Sequence, residues 1–259
     1  MAPWISGFFP KHRIYVEPFG GGASVLLRKE RSYNEVYNDL DNELVNLFRV
    51  LRSDQAGALI AQLRLTSYAR EERRLALEKT DDPVERARRL IVRSHMSHGT
   101  GAARIDRPTG FRVDGSSSST DVAGEWARLP AAITAIVERL RGVAIEQRPA
   151  IELLSAFDTS KALIYLDPPY LPCQRSKKTC RGERYHAYQH EMTEDEHREL
   201  LNRARTSSAM IVLSGYPSEL YDKSLEGWSR HVKPSRAHRN APRTEAIWLN
   251  PACREALDA

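Results

Sequence analysis

Asp167, Pro168, Pro169 and Tyr170 set a carboxylate, two stiff residues and an aromatic ring in four consecutive positions. They follow Ala162-Leu163-Ile164-Tyr165-Leu166, an apolar run that reads as a buried strand. The tetrapeptide is therefore expected just past the C-terminal end of that strand, the edge at which open α/β sheets bind ligands. Such a group suits alkylation of a planar, weakly nucleophilic amino group. A carboxylate and a backbone carbonyl can accept its two N–H bonds and free the nitrogen lone pair. Acceptors placed where positive charge develops stabilise a transition state electrostatically. Proline holds φ, which keeps the Pro168 carbonyl on target, and Tyr170 offers a face for stacking a base. The structural alternative is a proline turn after a strand, capped by Asp167.

A second constellation lies near the N-terminus. Gly20, Gly21 and Gly22 follow the short strand signal Ile14-Tyr15-Val16-Glu17. Glycines let a backbone turn sharply and approach a ligand closely. Val25-Leu26-Leu27-Arg28-Lys29 reads as the start of a helix, and Glu35-Val36-Tyr37-Asn38 as a second strand ending at Asp39. An acid there is placed to bind ribose hydroxyls. Glu17-Pro18 ahead of the glycines disfavours a pyrophosphate, and Val25 stands where a dinucleotide fingerprint has its third glycine. A cationic nucleoside such as S-adenosylmethionine fits better. A ligand-free tight turn is the alternative for the glycines. Asp41 reads as the cap of a helix beginning at Asn42.

These constellations need a sheet to hold them. The 259 residues suffice for one α/β domain with an insertion. From Asp54 to Leu140 the chain changes to helices rich in Arg, Leu and Glu, with Asp82 expected to cap a helix from Pro83. A polar stretch from Gly99 to Gly124 precedes a helix expected at Pro130 to Arg141. Strands then recur at Val143–Glu146, Ala162–Leu166, Met210–Ser214 and Glu245–Leu249, and Thr193 with Glu196 forms a capping box for a helix reaching Arg205.

Net charge is +5, with arginines crowded between Arg70 and Arg112. That is compatible with nucleic acid, although Glu71, Glu72 and Glu85 are placed to pair with part of it. Arg104, Arg107 and Arg112, beside glycines, are candidates for phosphate or base-edge contacts. His95 and His98 read as packing or surface residues. Three cysteines form no framework and point to a reducing compartment. Cys173, Cys180, His186 and His190 lack the spacing of common zinc modules, so no metal is expected. With no long apolar run and no leader signal, the expected location is cytoplasmic, without a membrane. No obligate protein partner is evident.

Together, Glu17-Pro18-Phe19-Gly20-Gly21-Gly22, Asn38-Asp39-Leu40 and Asp167-Pro168-Pro169-Tyr170 resemble, in this order, the Dam-like (D12 class) adenine-specific DNA methyltransferases. The resemblance implies a doubly wound, mostly parallel seven-stranded Rossmann-like α/β sheet. It assigns 1–53 and 141–259 to the catalytic domain and 54–140 to a helical, target-recognising insertion. Glu17, Pro18, Phe19, Gly20, Gly22 and Asp39 would form the S-adenosylmethionine site. Asp167 and Pro168 would hold the amino group of adenine, Tyr170 would stack on the flipped base, Pro169 would complete that catalytic motif, and Tyr185 or Tyr188 is a candidate second stacking residue. Double-stranded DNA would be the partner, and DNA modification, as in restriction–modification, the role. An RNA adenine methyltransferase is the enzymatic alternative. The family usually carries a Trp-x-Gly-Gly-Lys-type element before the first strand. This chain begins Met1-Ala2-Pro3-Trp4 without it, and Glu146, followed by Gln147-Arg148, only loosely matches an acid the family often carries near the donor adenine. These departures bear on donor affinity more than on fold, and leave a DNA-binding remnant without catalysis as a further alternative.

Overall fold

The computed structural model describes residues 1–99, 102–106, 108–113, 121–171, 190–236 and 242–259. By its contacts the chain divides into two compact units, 1–40 with 142–259, and 41–141.

The first unit is built on a seven-stranded sheet: β1 (Ile14–Glu17), β2 (Asn34–Asn38), β3 (Val143–Glu146), β4 (Ala162–Leu166), β5 (Met210–Gly215), β6 (Ser229–Arg236) and β7 (Pro242–Leu249). Their order is β3-β2-β1-β4-β5-β7-β6. β1 pairs in parallel with β2 and β4, β2 with β3, and β4 with β5. β7 runs antiparallel to both β5 and β6. The expected mostly parallel sheet is thus present, with an antiparallel edge. From β1 the chain steps outward to β2 and β3, and from β4 it steps the other way. The loops leaving β1 and β4 therefore diverge, and a crevice opens between them at the strand ends.

Side chains alternate across a sheet, which separates core from site. Val16, Ile164, Leu166, Ile211 and Leu213 join one apolar cluster with Leu153, Leu154, Leu200, Leu201 and Trp248. The covering helices are α7 (Ala150–Ala156), α8 (Glu194–Arg205) and α9 (Glu219–Ser224). α8 starts at the capping box of Thr193 and Glu196. The intervening positions Tyr15, Glu17 and Tyr165 belong to the opposite face, where Phe9 packs 5.7 Å from the Tyr15 ring and 6.1 Å from that of Tyr165. Phe9 follows the short α1 (Ala2–Ser6), and α10 (Pro251–Asp258) ends the chain.

Three local expectations change. After the glycines no helix forms; residues 21–29 are turns. The Leu26 amide donates to Glu17 Oε2 at 3.0 Å and the Arg28 amide to the Val25 carbonyl three residues back, so the i→i−4 ladder is broken although Leu27 and Lys29 keep such bonds to Ala23 and Val25. β6 had no sequence signal strong enough to name it, because its Ser-Arg-His-Val-Lys-Pro run is mostly polar. The third change lies in the second unit.

That unit contains α2 (Asn42–Leu51), α3 (Ala56–Leu65), α4 (Arg70–Leu75), α5 (Pro83–Met96) and α6 (Val122–Arg139). Asp41 and Asp82 cap α2 and α5 through their side chains. α6, capped by Asp121, begins at Val122 rather than near Pro130, which lies inside it. Val122, Trp126, Pro130 and Ile133 make one continuous buried stripe, and that burial outweighs the amide hydrogen bond lost at proline. Arg88 pairs with Glu72 and Glu85, Arg89 with Glu85, and Arg74 with Glu71. Much of the arginine excess of these helices is therefore internally balanced.

Candidate active site

The glycine turn is shaped by β2. Gly20 N–H donates to the Asn38 carbonyl at 2.8 Å, Gly21 N–H donates to Asp39 Oδ2 at 2.8 Å, and the Tyr37 hydroxyl donates to the Gly21 carbonyl at 2.8 Å. A Cβ on Gly20 would sit 2.2 Å from the Tyr37 ring and 2.9 Å from the Asn38 carbonyl, so only glycine fits. Gly21 has φ +48, the left-handed region that favours glycine. Gly22 differs: a Cβ there meets nothing within 4 Å among the described residues. The backbone beside Gly21 and Gly22 is thus open, and the carboxylate of half-buried Asp39 lies against it. An open backbone cradle with an acid at its edge fits a nucleoside ligand. Pro18 is buried, and Phe19 packs its ring against the main apolar cluster.

Asn38 clamps this turn to the next loop. Only 1% exposed, it donates through Nδ2 to the carbonyls of Pro18 at 2.8 Å and Arg148 at 3.0 Å, and accepts from Arg148 N–H at 2.8 Å. Its side-chain role was not read from sequence; the signal was a polar residue closing an apolar strand. Glu146 pairs in register with Asn38 at the end of β3, with Arg148 Nε 3.9 Å from its carboxylate.

Glu17 lies at the end of β1 and is 2% exposed. Its Oε2 accepts from the Tyr15 hydroxyl at 2.8 Å and from Leu26 N–H. Burial pushes its pKa up to about 8, opposed by these two bonds and aided by the nearby charge of Asp167. At neutral pH in this structure Glu17 is mostly protonated. Desolvation thus outweighs its two donors and favours the neutral, hydrogen-bonded carboxyl in the folded chain.

Asp167 follows β4 directly. It presents exposed surface at the mouth of the crevice, while the protein packed around its carboxyl still desolvates it and pushes its pKa up. The Ser214 hydroxyl, which donates to the carboxylate, and the Tyr165 hydroxyl behind it oppose that rise. Leu166 pairs with Leu213, so the parallel register continues to Asp167 beside Ser214. Ser214 Oγ lies 2.8 Å from Asp167 Oδ1. Pro168 is buried and Pro169 and Tyr170 half-buried. The Tyr170 ring packs at 4.3 Å, tilted 32°, on that of Tyr216 just after β5. Sequence reasoning singled out neither Ser214 nor Tyr216; the only signal was a serine closing the apolar run Met210–Leu213.

The candidate nucleic-acid residues belong to the second unit. Arg104 Nε donates to Asp106 at 2.9 Å, and its side chain is 15% exposed. Arg112 lies 4.0 Å from Glu125, and its backbone is fixed by bonds to Met96 and Tyr68. Buried Arg93 holds the same segment, donating to the carbonyls of Ala103 at 2.8 Å and Ala76 at 2.7 Å. His95 is half-buried beside Trp126, consistent with packing. Arg107, Cys173, Cys180, Tyr185, His186 and Tyr188 lie outside the described residues.

A switch-point crevice with a glycine turn after β1, an acid after β2, an acidic proline corner after β4 and an antiparallel last strand define a Rossmann-like methyltransferase fold. The model of the D12 class N6 adenine-specific DNA methyltransferases matches residues 1–235. The chain belongs to that family of S-adenosylmethionine-dependent DNA methyltransferases. A search of curated proteins finds no match. A solved rRNA methylase from Streptococcus thermophilus is similar at 7% identity and a TM-score of 0.35, over 96% of this chain and 93% of that one. Among the described residues no helix is long and apolar enough to cross a membrane.

Proposed function

We propose that the crevice at the β1/β4 switch point methylates the N6 amino group of an adenine turned out of duplex DNA. The observation that carries this reading is the meeting of two motifs far apart in sequence. The open turn at Gly21–Gly22 and the Asp167 corner leave neighbouring parallel strands at the same sheet edge. S-adenosylmethionine, when bound, supplies an electrophilic methyl group for direct in-line transfer. Phe19, Gly20 and Gly22 line its seat, and Asp39 accepts from ribose hydroxyls. Asp167 and the Pro168 carbonyl accept the two amino N–H bonds, orient the nitrogen and stabilise its developing positive charge. Tyr170 stacks on the flipped base. The nitrogen loses its proton to water after transfer. The unit 41–141 is read as the target-recognition element, with Arg104, Arg107 and Arg112 on the DNA.

The test is transfer of labelled methyl from S-adenosylmethionine to unmethylated duplex DNA and, in parallel, to structured RNA. Label in N6-methyladenine of DNA that disappears in Asp167→Ala supports the reading. Preference for RNA, or full activity in Asp167→Ala, overturns it. DNA binding without transfer would make the chain a binding remnant.

A further inference from the structure

We infer that Ser214 is a positioning residue for Asp167: its hydroxyl, anchored in turn by Tyr165, holds Oδ1 and so determines which carboxylate oxygen is presented to the target amino group. The inference deepens the role of Asp167 proposed above and rests on it.

Ser214 is 8% exposed and is the penultimate residue of the buried strand β5. Its Oγ lies 2.8 Å from Asp167 Oδ1, 3.3 Å from the Leu166 carbonyl and 2.9 Å from the Tyr165 hydroxyl. A serine hydroxyl has one proton to give. Both the carboxylate and the carbonyl can only accept. The shorter bond to the carboxylate is charge-assisted and the stronger of the two, so the proton goes to Asp167. Tyr165 is then the donor to Ser214, which runs a chain of hydroxyls from the sheet interior to the carboxylate. A serine needed only for packing would be satisfied by the Leu166 carbonyl. Here it also meets the Asp167 carboxylate, brought beside it by the β4–β5 register.

The geometry has an electrostatic consequence. Around Asp167 stand Tyr165 on β4, Ser214 on β5, Tyr221 on α9 and Glu17 on β1. Among these described groups no cation faces the carboxyl, and burial alone pushes it toward the protonated form. A protonated Asp167 is a poorer acceptor for an amino group. The serine hydroxyl therefore favours the ionised, accepting state as well as the orientation. Removing a hydrogen bond to a charged group raises a carboxyl pKa by roughly one to two pH units.

The experiment compares wild type, Ser214→Ala, Ser214→Thr and Asp167→Asn. It records the pH profile of methyl transfer to duplex DNA and, separately, the pH dependence of Tm without donor or DNA. Ser214→Ala is expected to move the acidic limb of kcat upward by about one pH unit, with KM for DNA changed less than about twofold. Ser214→Thr, which keeps the hydroxyl, should move the limb back toward wild type. The Tm gap between wild type and Ser214→Ala should widen as pH rises through the Asp167 pKa. In an Asp167→Asn background that gap should become independent of pH. Superimposable kcat profiles for wild type and Ser214→Ala, or a Tm gap that stays flat with Asp167 present, overturn the inference. If Ser214→Ala does not fold, Tyr165→Phe reads the same chain from its other end, and an unmoved acidic limb there overturns it too. Failure of the underlying reading looks different: Asp167→Asn would then transfer methyl at the wild-type rate.

Discussion

Replacing Glu17 by Gln is the sharpest probe of the wall between the two motifs. The glutamine amide keeps an oxygen for Tyr15 and Leu26, but it cannot ionise. In wild type, folding raises the carboxyl pKa from 4.5 to about 8. The folded state therefore holds a proton that the unfolded chain has released, and stability falls as pH rises between those two values. At about 1.36 kcal/mol per pH unit, the full penalty above pH 8 approaches about 5 kcal/mol. Since Glu17 is almost completely buried, solvent screening does little to reduce it. The useful quantity is the difference in unfolding free energy between Glu17→Gln and wild type, measured by urea denaturation across pH. Other groups titrate in both proteins and largely cancel. The difference should move in favour of the glutamine variant by about 2.5 kcal/mol between pH 5 and pH 7, and by nearly 4 kcal/mol at about pH 8.5. A difference that stays within about 0.5 kcal/mol across that range would show that Glu17 ionises freely in the fold, and the account of the wall would be wrong.

The glycine turn separates strain from occupancy. Gly20→Ala drives a Cβ into the Tyr37 ring and the Asn38 carbonyl, and should cost about 1–3 kcal/mol in stability, read as a lower Tm. Gly22→Ala meets no atom within 4 Å among the described residues, so Tm should hold while donor affinity, measured by calorimetry, drops about tenfold or more. Equal Tm losses in the two variants would contradict this division. Asn38→Ala removes three hydrogen bonds, one buried and two part-buried, that tie the Pro18 and Arg148 backbones together. It should cost about 2–4 kcal/mol in stability and loosen the donor site, seen as faster amide exchange at Gly20 and Arg148.

Where tertiary contacts agreed with local preference, reading residues was enough. Ile14–Glu17 and Ala162–Leu166 are apolar runs ended by an acid, and they form β1 and β4 with those acids at the strand ends. Thr193 and Glu196 satisfy each other within one turn, so the start of α8 needed no outside information. The same applies to Asp41 and Asp82, whose caps are local. The helix expected after Gly22 does not form because Glu17, nine residues back on β1, takes the Leu26 amide and breaks the i→i−4 ladder there. α6 extends well before the expected start at Pro130 because the buried stripe of Val122, Trp126, Pro130 and Ile133 carries the helix through the proline.

By itself the sequence determined the chemistry on offer: a glycine turn after one strand, an acid after the next, and an Asp-Pro-Pro-Tyr corner after a third, in the order of a known family. Those are short-range patterns, written in neighbouring residues. Only the tertiary structure decided that Glu17 is buried and largely neutral, that Asn38 ties two loops together, and that Ser214 stands beside Asp167. Each of these depends on strand register and on burial between segments tens of residues apart. Register is set by the packing of the whole sheet and pKa by the surroundings of the folded site, and neither is written in the few residues that carry the motif.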